Sequence, residues 1–194
     1  MLRRYRLALA LWLCSIGMVF VAFSSAYVVR RGVPTYETET GAYSTHWDTL
    51  HIPVPLLLIN SLLLAGAAVA MEVARRRSQA AAHESQDRTG SSWIWTGASS
   101  LLVLGFLVGQ ALVWNALSRN GESMASGARA AFFYLLTGAH ALNVALGLIA
   151  VIYTVIRGRH WSMNKRYVAT DLSAWYMHAM TLLWIYLLGF LLFA

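Results

Sequence analysis

A-A-F-F-Y-L-L-T-G-A-H-A-L-N-V-A-L-G-L-I-A-V-I-Y-T-V-I, residues Ala130–Ile156, runs for 27 residues without an Asp, Glu, Lys or Arg. About 20 apolar residues in a helix cross the hydrocarbon core of a bilayer. Nothing in the stretch alternates with the period of two that a barrel strand needs. In lipid the backbone amides have only one another as partners, so the stretch reads as a membrane-spanning helix. Four more runs are of the same kind: Leu7–Val29, Ile52–Met71, Trp93–Leu117 and Leu172–Ala194. The five together cover 118 of the 194 residues. The expected fold class is an all-α integral membrane protein, with residues 1–194 forming a single transmembrane domain, a bundle of five helices.

Composition agrees. Hydrophobic residues make up 58% of the chain and charged residues 12%, with a mean hydropathy of +0.55. A soluble domain carries about 25% charged residues, and disordered or collagen-like chains need polar or repetitive sequence. Cys14 is the one cysteine, which excludes an intramolecular disulfide framework and clustered-thiolate metal sites. The N-terminus also has the outline of a signal peptide, with arginines, an apolar run and Ser24-Ser25-Ala26. Its apolar run exceeds the usual 7–15 residues of a signal core, so it is read as the first span.

The net charge of +7 is distributed by side. Arg3, Arg4 and Arg6 precede the first span, Arg75, Arg76, Arg77 and Arg88 follow the second, and Arg157, Arg159, Lys165 and Arg166 follow the fourth. These alternate segments hold 11 of the 15 cationic residues. The positive-inside rule then places the N-terminus in the cytoplasm and the C-terminus outside. The charge thus reports topology and not nucleic acid. Arg75, Arg76, Arg77, Arg157 and Arg159 lie near helix ends, where each attracts anionic headgroups by about 1 kcal/mol. Between spans, Arg30–His51 reads as an ordered external loop, Ser118–Arg129 as a tight external connection, and Arg75–Ser92 as the flexible inner segment.

Ionisable residues inside a membrane are costly and mark function. Of eight acids, only Glu72 and Asp171 adjoin spans, at the inner ends of the second and fifth. His46, His51, His83 and His160 fall in loops or at the surface, leaving His140 and His178 within spans. At about 1.5 Å per residue, antiparallel spans place these two within about 5 Å in height, in a core about 30 Å thick. Haem ligation by the pair is therefore open, against hydrogen-bonded packing in which His140, His178 and Asn60 bridge helices. Packing is the reading taken. Gly97, Gly105, Gly109, Gly138, Ala141, Ala145 and Gly147 mark places for close helix approach, within the chain or toward another subunit.

Several stretches together resemble a known family. Phe133-Tyr134-Leu135-Leu136-Thr137-Gly138-Ala139-His140-Ala141-Leu142-Asn143 is similar to the aromatic pair and T-G-x-H-x-x-H of haem–copper oxidase subunit III. Asp171-Leu172-Ser173-Ala174-Trp175-Tyr176-Met177-His178 resembles that family's E-x-x-x-W-Y-W-H. Pro53-Val54-Pro55-Leu56-Leu57-Leu58-Ile59-Asn60-Ser61 resembles its V-P-L-L-N-T, and Ser15-Ile16-Gly17-Met18-Val19-Phe20 its S-E-V-M-F-F. Gln110 with Trp114 is similar to Q-x-x-E-W. Order and spacing agree along nearly the whole chain, in a short five-helix form where many relatives have seven.

The departures fall on the family's membrane acids and its second histidine. Ile16, Val113 and Thr181 stand where the acids would be, and Asn143 where the histidine would be. Proton-supply roles therefore do not carry over, and no proton path through the bundle is expected. What the resemblance implies is an accessory, non-catalytic subunit in a bacterial cytoplasmic membrane. It would hold no haem or copper itself, pack beside the catalytic subunit I and other oxidase subunits that hold them, and bind phospholipid. Asn60, His140, Asn143, Asp171 and His178 are the expected structural polar contacts. A related accessory protein of nitric oxide reductases shares the motifs; a small haem-b cytochrome and a channel or transporter are the remaining classes.

Overall fold

The computed structural model describes residues 2–37, 42–44, 53–84, 89–157 and 161–193. Among them are five long helices: α1 (Leu2–Gly32), α2 (Val54–Glu84), α3 (Thr89–Arg119), α4 (Ala128–Arg157) and α5 (Met163–Phe193). All five are long and apolar enough to cross a membrane. At 30 or 31 residues each they extend about 46 Å, past a hydrocarbon core of about 30 Å. The helices therefore overrun the uncharged stretches. Residues 75–84 and 89–92, expected to be flexible, are helical, because Arg, Ala and Gln are good helix formers. Asp171 is likewise not at the mouth of its helix but two turns inside α5.

The ends have local causes. Gly121, at φ 82°, terminates α3, with Glu122 N–H donating to Leu117 O and Gly121 N–H to Ser118 O. That pair of bonds is a Schellman motif, which needs a left-handed residue after the cap. Between α1 and α2 the chain forms a small antiparallel hairpin, β1 (Thr35–Glu37) with β2 (Ala42–Ser44), pairing Tyr36 with Tyr43.

Helices α2 and α3 pack most extensively, followed by α2 with α5 and α4 with both α5 and α3; α1 leans on α5 and α4 with much less contact. The core is built from Leu64, Met71, Phe106, Leu136, Met177 and Trp184, all essentially inaccessible. The outer surface carries Leu62, Leu101, Leu142, Ile149 and Leu182, all exposed. An apolar exterior of that extent suits lipid and not water. The chain is a multi-pass membrane protein.

Two glycines explain how the helices approach. A Cβ on Gly109 would collide with the Asn60 side-chain oxygen, and one on Gly147 with the Tyr176 ring. Gly97, also expected at a close approach, faces open space.

Candidate functional site

Two polar clusters lie inside the bundle. The first ties α1, α2 and α5 together at the end bearing the N-terminus. Asp171 is completely buried, and Arg6 grips it with both arms of its guanidinium, Nε to Oδ2 at 2.8 Å and Nη2 to Oδ1 at 2.7 Å. Arg75 Nη1 stands 3.5 Å from the same Oδ1. Arg75 also donates to Glu72, Nε to Oε2 at 2.7 Å and Nη2 to Oε1 at 2.6 Å, and Arg76 Nε adds a bond to Oε1 at 2.9 Å. His178 Nε2 lies 3.6 Å from Glu72 Oε2. Arg6 also stacks over Trp175, 5.9 Å from the ring centroid. All four carboxylate oxygens are thus held by guanidinium groups. Bidentate pairs of this kind fix geometry as well as charge, and they leave no carboxylate lone to act as a base.

The second cluster is central and built of rings. His140, on α4, is fully buried. Trp184 of α5 stacks on its imidazole at 5.2 Å, while Phe106 of α3 and Phe20 of α1 meet it edge-on at 5.8 and 6.5 Å. Neither imidazole nitrogen has a hydrogen-bond partner among the described residues. This corrects the expectation that His140 bridges helices through a hydrogen bond: its four-helix contact is aromatic. Close by, Trp184 Nε1 donates to Ser61 Oγ at 2.9 Å, and Asn60 Nδ2 donates to Gln110 Oε1 at 3.2 Å, joining α2 to α5 and to α3.

The two histidines do not make a haem pair. His140 is level with Trp184, which lies six residues beyond His178 on α5, about 9 Å along the axis. His178 is half exposed at the ionic cluster, whereas His140 is enclosed by rings. Among the described residues no three or more His, Cys, Asp or Glu side chains are grouped to hold a metal ion.

The remaining expected residues are placed as follows. Asn143 Nδ2 bonds to Ala139 O in its own helix at 3.0 Å, and its carbonyl accepts from Tyr176 Oη at 2.8 Å. The α4–α5 bridge at this position is therefore made by the tyrosine and the Asn143 backbone. Of the arginines expected at headgroups, Arg75 is committed to carboxylates, Arg77 lies over the Trp95 ring at 5.4 Å, and Arg76 and Arg157 are exposed. Arg159 lies outside the described residues, as do His46, His51 and His160. Sequence reasoning missed Arg6 as the partner of Asp171, and the α3–α4 bridge in which Trp114 Nε1 donates to Thr137 Oγ1 at 3.0 Å. The signal for the first was available: a lone acid in a span needs a cation at its own depth.

The family model described as Cytochrome c oxidase subunit III matches residues 2–193. A curated protein of Mycobacterium tuberculosis (strain ATCC 25618 / H37Rv), named probable cytochrome c oxidase subunit 3, is 35% identical over 92 residues, covering 47% of this chain and 45% of that protein. Cytochrome c oxidase subunit 3 of Synechocystis is 25% identical over 181 residues, covering 91% of this chain and 70% of that one. The protein of the same name from Bacillus sp. (strain PS3) is 30% identical over 99 residues, covering 48% and 46%. The matched stretch thus spans about half the length of the mycobacterial and Bacillus proteins. With the family match running through all five helices, the chain belongs to the cytochrome c oxidase subunit III family.

Proposed function

We propose that this chain is the accessory, non-catalytic subunit III of a bacterial respiratory haem–copper terminal oxidase. It packs beside the catalytic subunit I and other oxidase subunits, which hold the haem and copper, and supports their stability and lipid association. The observation that carries the reading is the family match over residues 2–193. Its chemistry agrees: the buried acid is neutralised by arginines, and the central histidine is packed among rings. The chain forms a single transmembrane unit in the cytoplasmic membrane, and the positive-inside rule supports an N-terminus inside and a C-terminus outside. The ionic cluster then sits on the cytoplasmic side, and the exposed Arg76 and Arg157 are available there to anionic headgroups. Asn60, Asn143, Asp171 and His178 act as structural polar contacts, and His140 as an aromatic one.

Affinity purification of the complex through a tag on this chain is the direct test. A haem–copper catalytic subunit that reduces oxygen should co-purify. Recovery with a nitric oxide reductase would move the chain to that complex. A pyridine haemochrome signal from the chain expressed alone would replace the accessory reading with a cytochrome.

A further inference from the structure

Helix α1 has two unlike halves. From Ile16 onward it turns Ile16, Phe20, Ser24 and Tyr27 into the bundle, a spacing of three to four residues that keeps one face inward. Phe20 meets the His140 ring, and Ser24 Oγ accepts from Tyr186 Oη at 2.9 Å. Before Ile16, no residue from 2 to 15 is buried. Apolar grooves flank that first half on both sides. One, of about 520 Å³, runs between Leu13 and Cys14 of α1 and Ala179 and Leu182 of α5. The other, of about 260 Å³, runs between Trp12 and the Leu146–Gly147 stretch of α4. Leu9 lines both. The first half of α1 therefore packs more loosely than the second, touching the core through half-buried Leu13, and the long Arg6 side chain reaches across to Asp171.

We propose that α1 is a hinged strap whose second half is fixed in the bundle, while its first half is latched closed by the Arg6–Asp171 ion pair and swings about Ile16 when that pair opens. Two features make the latch releasable. The Arg6 side chain is 39% exposed, so its charge meets water or headgroups on leaving. Asp171, at 0%, keeps Arg75 at 3.5 Å. Opening thus does not strand a buried carboxylate, the outcome that would otherwise forbid it. The other charged or titratable groups facing this end include Arg3, Glu72, Arg76, Tyr167 and His178, and none makes a hydrogen bond or ion pair with Asp171 in place of Arg6 among the described residues.

The test uses spin-label distances in the full chain reconstituted into lipid nanodiscs. Cys14→Ser first removes the one native thiol. One label pair then combines Leu11→Cys with Ile149→Cys, and a second combines Val21→Cys with Ile149→Cys, all three sites being exposed to lipid. In Arg6→Gln the distance distribution of the Leu11 pair should at least double in width, with the Val21 pair unchanged. Arg6→Lys, which keeps charge without the two-armed grip, should fall between. Arg75→Gln, which leaves Arg6 in place, should hold the Leu11 pair at its original width. An unaltered Leu11 pair in Arg6→Gln would show that the ion pair is no latch. Equal broadening of both pairs would show that α1 loosens as a whole, without a hinge at Ile16. Broadening in Arg75→Gln would assign the hold to Arg75.

Discussion

Asp171 and His140 are both fully buried ionisable side chains inside a membrane bundle, and the protein accommodates them in opposite ways. Asp171 is surrounded by charge and satisfied at both oxygens; His140 is surrounded by rings and hydrogen-bonded to none of the described residues. The difference follows from what each group requires. A carboxylate held as an anion needs compensating charge wherever it is buried. An imidazole can stay neutral and interact through its ring face and edge, as an aromatic does. The ionic end therefore depends on partners in sequence-distant helices, and the central cluster on shape. Substitutions that respect shape but remove polarity should separate the two.

The largest effect is expected at the ionic end. Replacing Arg6 and Arg75 together with Gln leaves Asp171 buried without a cation, which costs about 3–5 kcal/mol. Arg6→Gln alone should cost much less, since Arg75 remains 3.5 Å away. Denaturation in mild detergent, followed by loss of helical circular dichroism, checks both. If the double variant costs no more than Arg6→Gln, Asp171 is being compensated from elsewhere, and the contrast with His140 weakens.

Next comes the Asn60 contact, where shape and polarity meet. Gly109→Ala drives a methyl group into the Asn60 amide, an overpacking worth about 1–3 kcal/mol. It also threatens the bond to Gln110, worth roughly 0.6–2 kcal/mol. Adding Asn60→Ala removes the obstruction, so the double variant should be more stable than the sum of the single losses. Strict additivity in that cycle would mean that the two side chains do not share a space.

These contrasts bear on what a sequence can reveal. The five spans were legible because uncharged runs of that length have one solution in lipid. Their ends were not: Arg75–Arg77 marked a boundary by charge, yet the helix runs on to Glu84, because arginine and alanine carry no helix-breaking cost. Depth along a span was readable to a few residues, which brought His140 and His178 together on paper. That reading was short by a few ångströms, and the azimuth was not readable at all: His140 lies level with and faces Trp184, about 9 Å along the bundle from His178, which faces Glu72. Asp171 was legible as a residue in need of a partner. Its partner lies 165 residues away on α1, and the positive-inside reading had already accounted for that arginine as a topology signal. The hairpin of β1 and β2 left no mark, since its strands are only three residues long.

A smaller effect is expected when His140 is exchanged for another ring. His140→Phe keeps an aromatic ring, somewhat larger than imidazole, among Phe20, Phe106 and Trp184 and removes two nitrogens that bond to nothing described. Overpacking of this kind costs about 1–3 kcal/mol, whereas His140→Ala opens a cavity and should cost about 3–5 kcal/mol, as truncation of a buried aromatic does. A loss above about 3 kcal/mol for the phenylalanine variant would exceed the packing range and point to a hydrogen bond at the imidazole.

The smallest effect expected is none, and it concerns protons. A relay through the bundle needs groups that exchange a proton within reach of one another or of water. Ile16 and Val113 cannot bind one, and Thr181 is occupied in donating to Met177 O at 2.9 Å. The imidazole of His140 is shut among rings, about 9 Å along the bundle from the level of His178. Glu72 and Asp171 sit together at one end with every carboxylate oxygen held by arginine. A path would have to cross from that end past Met177, Met180 and Trp184, which are buried in the core. If the chain serves an oxidase as proposed, His140→Phe should leave the protons moved per electron unchanged in reconstituted vesicles. A hydrophobic carbodiimide should leave Asp171, the one carboxyl within α1, α3 and α5, unlabelled, because both its oxygens are held by Arg6. A drop in proton stoichiometry at unaltered complex stability would show that the ring cluster conducts, and that the two polar regions differ less than their contacts say.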